Sequence, residues 1–139
     1  MSENSLWRKV RKNMAERWDE ATRHEDKLNL GVCDVSFVCG GKHGWMELKH
    51  LPKWPARPGT VVRCDHYTED QRVFLKRKGK HAGGVWLFVQ IDRDHLLFDS
   101  DRAQLFGTLN TEDTLRQANV VWRGKMDWDH LREILIHTH

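Results

Sequence analysis

An aspartate, a glutamate and a lysine stand inside two short apolar runs of this chain. Asp34 interrupts GVCDVSFV, and Glu47 and Lys49 interrupt GWMELKHL, with the turn-forming CGGKHG between them. Both runs alternate as β-strands do, so Glu47 and Lys49, one residue apart, leave the same face. If the strands pair through the glycine turn, Asp34 comes to a similar height. A hairpin with one face in water would carry the same charges. Two carboxylates held close repel, however, unless a cation sits between them, and oxygen ligands with open water positions are what Mg²⁺ favours. A lysine beside such a cation can position or help deprotonate a water and can stabilise charge developing on a phosphate.

The surrounding elements decide whether these groups meet. Trp7, Val10, Met14 and Trp18 recur at close to helical spacing, which predicts an amphipathic helix over 5–20 with Arg8, Lys9, Arg11 and Lys12 largely on its other side. A short extended piece spans 22–25. In the first strand Cys33, Val35 and Phe37 should share one face, and Val32, Asp34 and Ser36 the other. In the second, Met46 and Leu48 oppose Trp45, Glu47 and Lys49. The loop PKWPARPGTVVRCDHY holds three prolines that exclude helix and central strand. Thr68 and Gln71 then form a capping box for a helix that ends at Gly83 and Gly84. VWLFVQI reads as a central strand covered on both faces, HLLFD as an edge strand, and DWDHLREILI as a final helix. A helical turn at 101–106 and a VVW segment at 120–122 complete the series. The order predicts one α/β domain over 1–139, a mixed central sheet with helices packed on it.

The arrangement CDV…MELK resembles the PD-(D/E)xK nuclease superfamily, whose motif is an aspartate on one strand and Glu-x-Lys on the next. The likeness runs over residues 23–99 and is similar to small phage-type nucleases related to Holliday junction resolvases and VRR-NUC domains. It is carried by RHED before the aspartate, the D…ExK residues themselves, and the Gln-led helix after them. One position departs: the motif's proline is Cys33 here. The resemblance implies a restriction-endonuclease-like core, with Asp34, Glu47 and the Leu48 carbonyl as metal ligands for Mg²⁺ (Mn²⁺ substituting) and Lys49 as the catalytic lysine. It further implies an upstream acid, Glu25 in the Arg-x-Glu position before Glu3, Glu16 or Glu20. Gln71 matches a glutamine of the superfamily's later helix, although its capping box with Thr68 explains it equally well. The expected activity is endonucleolytic hydrolysis of a DNA phosphodiester, selective for branched DNA such as a four-way junction, by a homodimer.

Composition agrees with a globular protein: 139 residues, 39% hydrophobic and 31% charged, enough for a real core. No apolar run approaches the roughly 20 residues of a membrane span, and MSENSLWRKVRKN lacks the apolar core of a secretory signal, so a cytoplasmic location is expected. The net charge is only +3, but WRKVRK and KRKGKH gather cations that suit a nucleic acid. Cys33, Cys39 and Cys64 are odd in number and oddly spaced, hence free thiols. His43, His50 and His66 near Cys39 and Cys64 lack a close ligand pair for zinc. Trp45 and Trp54 could stack on bases, but seven tryptophans in so small a chain point first to packing. A nucleic-acid-binding protein that keeps this fold without cleaving is the alternative; it gains nothing from two carboxylates where phosphate must approach.

Overall fold

Among the described residues six strands form one sheet in the order of the chain, β1 (Glu20–Arg23), β2 (Val35–Cys39), β3 (Lys42–Leu51), β4 (Val85–Ile91), β5 (Asp94–Asp99) and β6 (Val120–Trp122). All neighbours are antiparallel except β3 and β4, which run parallel. A parallel pair needs a crossover, and α2 (Glu69–Ala82) supplies it. The other helices are α1 (Glu3–Met14), α3 (Thr111–Gln117) and α4 (Trp128–His137), with a 3-10 turn at Arg102–Leu105. The computed structural model describes residues 3–24, 31–82 and 84–137.

Alternation along the strands divides the apolar residues into two cores. Val35, Phe37, Cys39, Met46, Leu48, Trp86, Phe88 and Leu97 meet Leu6, Trp7, Val10 and Met14 of α1 and Leu131 and Leu135 of α4. On the other face Val85, Leu87, Val89, Ile91 and Phe98 meet Phe74 and Leu75 of α2, together with Ala103 and Phe106. Every residue of β4 is buried, as expected of a strand covered on both sides. Fully burying a large apolar side chain is worth roughly 2 kcal/mol, and with both faces covered the sheet can hold side chains that would not choose to be inside.

Three expectations are corrected. The first helix ends at Met14, where the amides of Arg17 and Trp18 both turn back onto the Met14 carbonyl; Trp18 still joins the α1 core, but from the turn. HLLFD is not the edge, because β6 pairs with its far side through His95, Leu96 and Leu97. Cys33 does not share a face with Val35 and Phe37. It precedes the strand and packs in the α2-side core, since β2 becomes regular only at Val35.

The β2–β3 turn is closed by Gly40 and Gly41, with φ of 58° and 78°. Two successive positive φ values suit the right-handed twist of a two-residue hairpin and favour glycine. They set the register at Cys39↔Lys42 and Val35↔Met46. Gly44 is needed for space, because a Cβ there would lie 2.4 Å from the Phe37 ring.

Candidate active site

β3 carries the site by alternation. Gly44, Met46, Leu48 and His50 turn toward the α1 side, while His43, Trp45, Glu47 and Lys49 leave the face covered by α2. Extending the hairpin register one step places Asp34 opposite Glu47. Asp34 is fixed there by its Oδ2, which accepts a hydrogen bond of 2.9 Å from the Leu48 amide, while its own carbonyl accepts from the His24 amide at 2.7 Å. The two carboxylates and the lysine are thus brought together as the sequence predicted.

Glu47 is wholly buried, and among the described residues neither carboxylate oxygen meets an aligned hydrogen-bond donor. Its counterion is Lys49, whose Nζ lies 3.1 Å from Oε2 and whose side chain is 4% exposed. Burial pushes the Glu47 carboxyl well above the usual carboxylate range, and the charge of Asp34 pushes it further, against a smaller opposing pull from Lys49. A buried carboxylate facing a second carboxylate is costly unless a cation is supplied. The donor set fits a hard divalent cation: it is all oxygen and holds two carboxylates. No group of three or more His, Cys, Asp or Glu side chains is placed to hold a metal among the described residues, but Mg²⁺ commonly uses one or two carboxylates and keeps several waters. Asp34, Glu47 and a neighbouring backbone oxygen are the groups that would hold it.

The remaining predicted residues are distributed as follows. Gln71 sits at the start of α2, where its Oε1 accepts from the Thr68 amide at 2.9 Å and its amide donates to Thr68 Oγ1 at 3.2 Å, a complete capping box. Glu25 lies outside the described residues, as does the side chain of Glu3. Glu16 and Glu20 are exposed, Glu20 at the start of β1. The zinc candidates do not gather at one point: Cys64 Sγ meets His66 Nε2 at 3.6 Å, but His50 faces the α1 side and His43 the other, and Cys39 belongs to a different core from Cys64. Trp54 is committed to packing, its indole N–H donating to Asp94 Oδ2 at 2.8 Å.

Several neighbours of the site were given no part in it by the sequence. Cys33 lies within electrostatic reach of Glu47, Asp34, Lys49 and Lys78, and burial together with the two carboxylates holds its thiol well above the normal range. Tyr67 is likewise raised by burial, with Arg72 opposing and Glu47 adding to the shift. Its hydroxyl donates to the Ala103 carbonyl at 2.9 Å, and the Arg72 guanidinium lies 4.1 Å from its ring centre. The two basic clusters also part company. Arg8, Arg11 and Lys12 are exposed on α1, which covers the far face of the sheet, whereas Lys76, Arg77 and Lys80 are exposed on α2, on the face of the site.

No protein-family model matches the sequence, and no curated protein does. Among solved structures the chain is similar to Hjc, a Holliday junction resolvase from the archaeal hyperthermophile Archaeoglobus fulgidus, at a TM-score of 0.51 and 13% identity over 72% of this chain and 74% of that one. At that identity the likeness speaks for the fold. The mixed six-stranded α/β sheet is a resolvase-like, restriction-endonuclease-like fold.

Proposed function

We propose that this protein is a divalent-metal-dependent nuclease that hydrolyses DNA phosphodiester bonds and prefers branched or otherwise structured DNA. The observation that carries the reading is the wholly buried Glu47 carboxylate, facing Asp34 and paired with Lys49, on a fold shared with a junction resolvase. Glu47 and Asp34 would hold Mg²⁺, or Mn²⁺ in its place, together with the Leu48 carbonyl. In an extended strand a residue's N–H and C=O leave by the same edge, so the carbonyl faces the side on which the Leu48 amide binds Asp34. A bound divalent cation supplies activation of water and neutralisation of phosphate charge.

The chain's own groups do the rest. Lys49 holds a positive charge beside Glu47, donates to a phosphate oxygen as negative charge builds on it, and can position the attacking water on that side. Asp34 and Glu47 present acceptors that orient an attacking water. Glu47 and Lys49 are buried and Asp34 half-buried, so bulk water screens these charges less than at an open surface. Lys76, Arg77 and Lys80 can follow the DNA backbone, whose contacts carry no sequence information. A symmetric dimer would provide two such sites for opposing strands of a junction.

The test is a panel of labelled four-way junctions, flaps, nicked and plain duplexes, incubated with Mg²⁺ or with chelator. Cleavage should require the metal and favour the branched substrates. Equal cleavage in chelator, or none of any substrate in Mg²⁺, would overturn the reading.

A further inference from the structure

We propose that Trp45 and Lys78 form a subsite for an unpaired nucleotide adjoining the phosphate held at Asp34 and Glu47. The inference rests on the nuclease reading and names the part of the substrate that the site selects. His43, Trp45, Glu47 and Lys49 leave β3 on one face at every second residue, so Trp45 stands about 7 Å along the strand from Glu47. Trp7, Trp18, Trp86 and Trp122 are buried in the cores, Trp128 packs on the α1-side core away from the site, and the Trp54 N–H is tied to Asp94. Trp45 is only half-buried, beside a site meant for a polyanion.

Its ring is held rather than loose. Phe74 and His43 meet it edge-on, with centroids 5.4 and 5.6 Å away, and His24 lies tilted at 5.3 Å, itself fixed by a 2.8 Å contact to Ser36 Oγ. A pre-oriented aromatic ring loses little freedom on stacking. The Lys78 Nζ lies 5.8 Å from the same ring centre and 5.7 Å from that of Phe74. Lys78 therefore stands at the indole, on the helix that covers the face carrying the carboxylates, where it can take a phosphate while the indole takes the adjoining sugar or base.

The chemistry that fits is a π-face next to a phosphate. Inside a duplex each base has both faces covered by its neighbours, so only a nucleotide that has left the stack can use Trp45. Selection for an unpaired nucleotide is also structure selection without reading base edges.

The test uses the full chain and DNA carrying 2-aminopurine beside the cut position, either in an unpaired arm or paired in duplex. Without divalent metal, the protein should quench the unpaired base and leave the paired one bright. Trp45→Leu should lose the quench and, in Mg²⁺, raise KM about tenfold with a much smaller change in kcat. Trp45→Phe, which keeps a ring in the same packing, should retain most of both. Lys78→Gln, a half-exposed helix position that the fold can spare, should raise KM severalfold and keep the quench. Quenching that survives Trp45→Leu, equal quenching of the paired base, or an unchanged KM in Lys78→Gln would overturn the subsite. Quenching by a protein that cleaves nothing would remove the nuclease reading and leave the subsite standing.

Discussion

Both faces of the sheet bury charge, and they treat it in opposite ways. On the α1 face Lys9 meets His95, with Nζ 2.9 Å from Nε2. His95 is 1% exposed, stacks on Phe88 and meets Trp128 edge-on. Burial first, and then Lys9, pulls its pKa down to about 4, which outweighs the opposing charge of Asp94. A neutral imidazole therefore accepts from an ammonium at Nε2, while its buried Nδ1 meets no aligned partner among the described residues. On the α2 face Glu47 and Asp34 bring two acceptors to one cation, and the Glu47 oxygens are left without aligned donors among the described residues. The first side is closed in charge, one cation on one neutral acceptor; the second is open, two carboxylates on one cation, and costs the fold something.

The largest effects should come from breaking the open side. Asp34→Ala or Glu47→Ala should lower metal-dependent cleavage by about a thousandfold or more, measured as single-turnover rates. At the same time Glu47→Gln should raise the urea midpoint of the metal-free protein, because it removes a buried charge. A carboxylate that contributed to stability would lower it instead.

Lys49→Ala should cost about 10²- to 10³-fold in turnover while DNA affinity stays near that of the parent. Lys49→Arg should recover only part, since a planar guanidinium does not reproduce the geometry of an ammonium. Binding and turnover measured side by side check both statements; a wild-type rate in Lys49→Ala would refute the assignment.

The closed side should appear in the pH dependence of stability. The unfolded chain protonates His95 near its ordinary pKa of 6.5, and the fold resists until about 4, so between these values the unfolded state binds more protons. The contribution is fully present above about pH 6.5 and drains away as pH falls toward 4, by up to ~3 kcal/mol. Urea midpoints followed across that window should fall less steeply in His95→Gln than in the parent. Parallel curves would show that His95 does not carry the acid limb.

The smallest effect separates two roles of Gln71. Thr68→Ala breaks the capping box and leaves the glutamine, whereas Gln71→Ala removes both. Each should cost about 1 kcal/mol of stability, with an additional loss of cleavage only in Gln71→Ala. Equal activity would leave Gln71 as a cap alone.

Much of this comparison was legible in the sequence where a local rule acts on a short segment. The period of two placed Glu47 and Lys49 on one face, the Thr68–Gln71 spacing marked the start of α2, and an unbroken apolar run marked β4. What escaped depends on partners remote in the chain. β5 looks like an edge until a three-residue β6, more than twenty positions later, covers it. α3 has seven residues and no apolar period; its one signal is Asn110, whose side chain accepts from the Asp113 amide. Nothing local says that the two basic clusters lie on opposite faces, because helices are assigned to faces by the crossover and not by their own residues. Trp45 was legible as a stacking candidate but not separable from packing, because its neighbours His24, Phe74 and Lys78 come from β1's end and α2.

The two-glycine turn makes this site vulnerable to deletions more than to substitutions. Removing Gly41 leaves too few residues to close the hairpin at Cys39 and Lys42, so the next closure draws Lys42 into the loop and pairs Cys39 with His43. Phe37 would then lie opposite Trp45, and Asp34 opposite Leu48. Residues of the two cores would face one another, and one strand would have to turn over. A single lost codon in a loop that touches no ligand would thus separate the carboxylates as surely as mutating either.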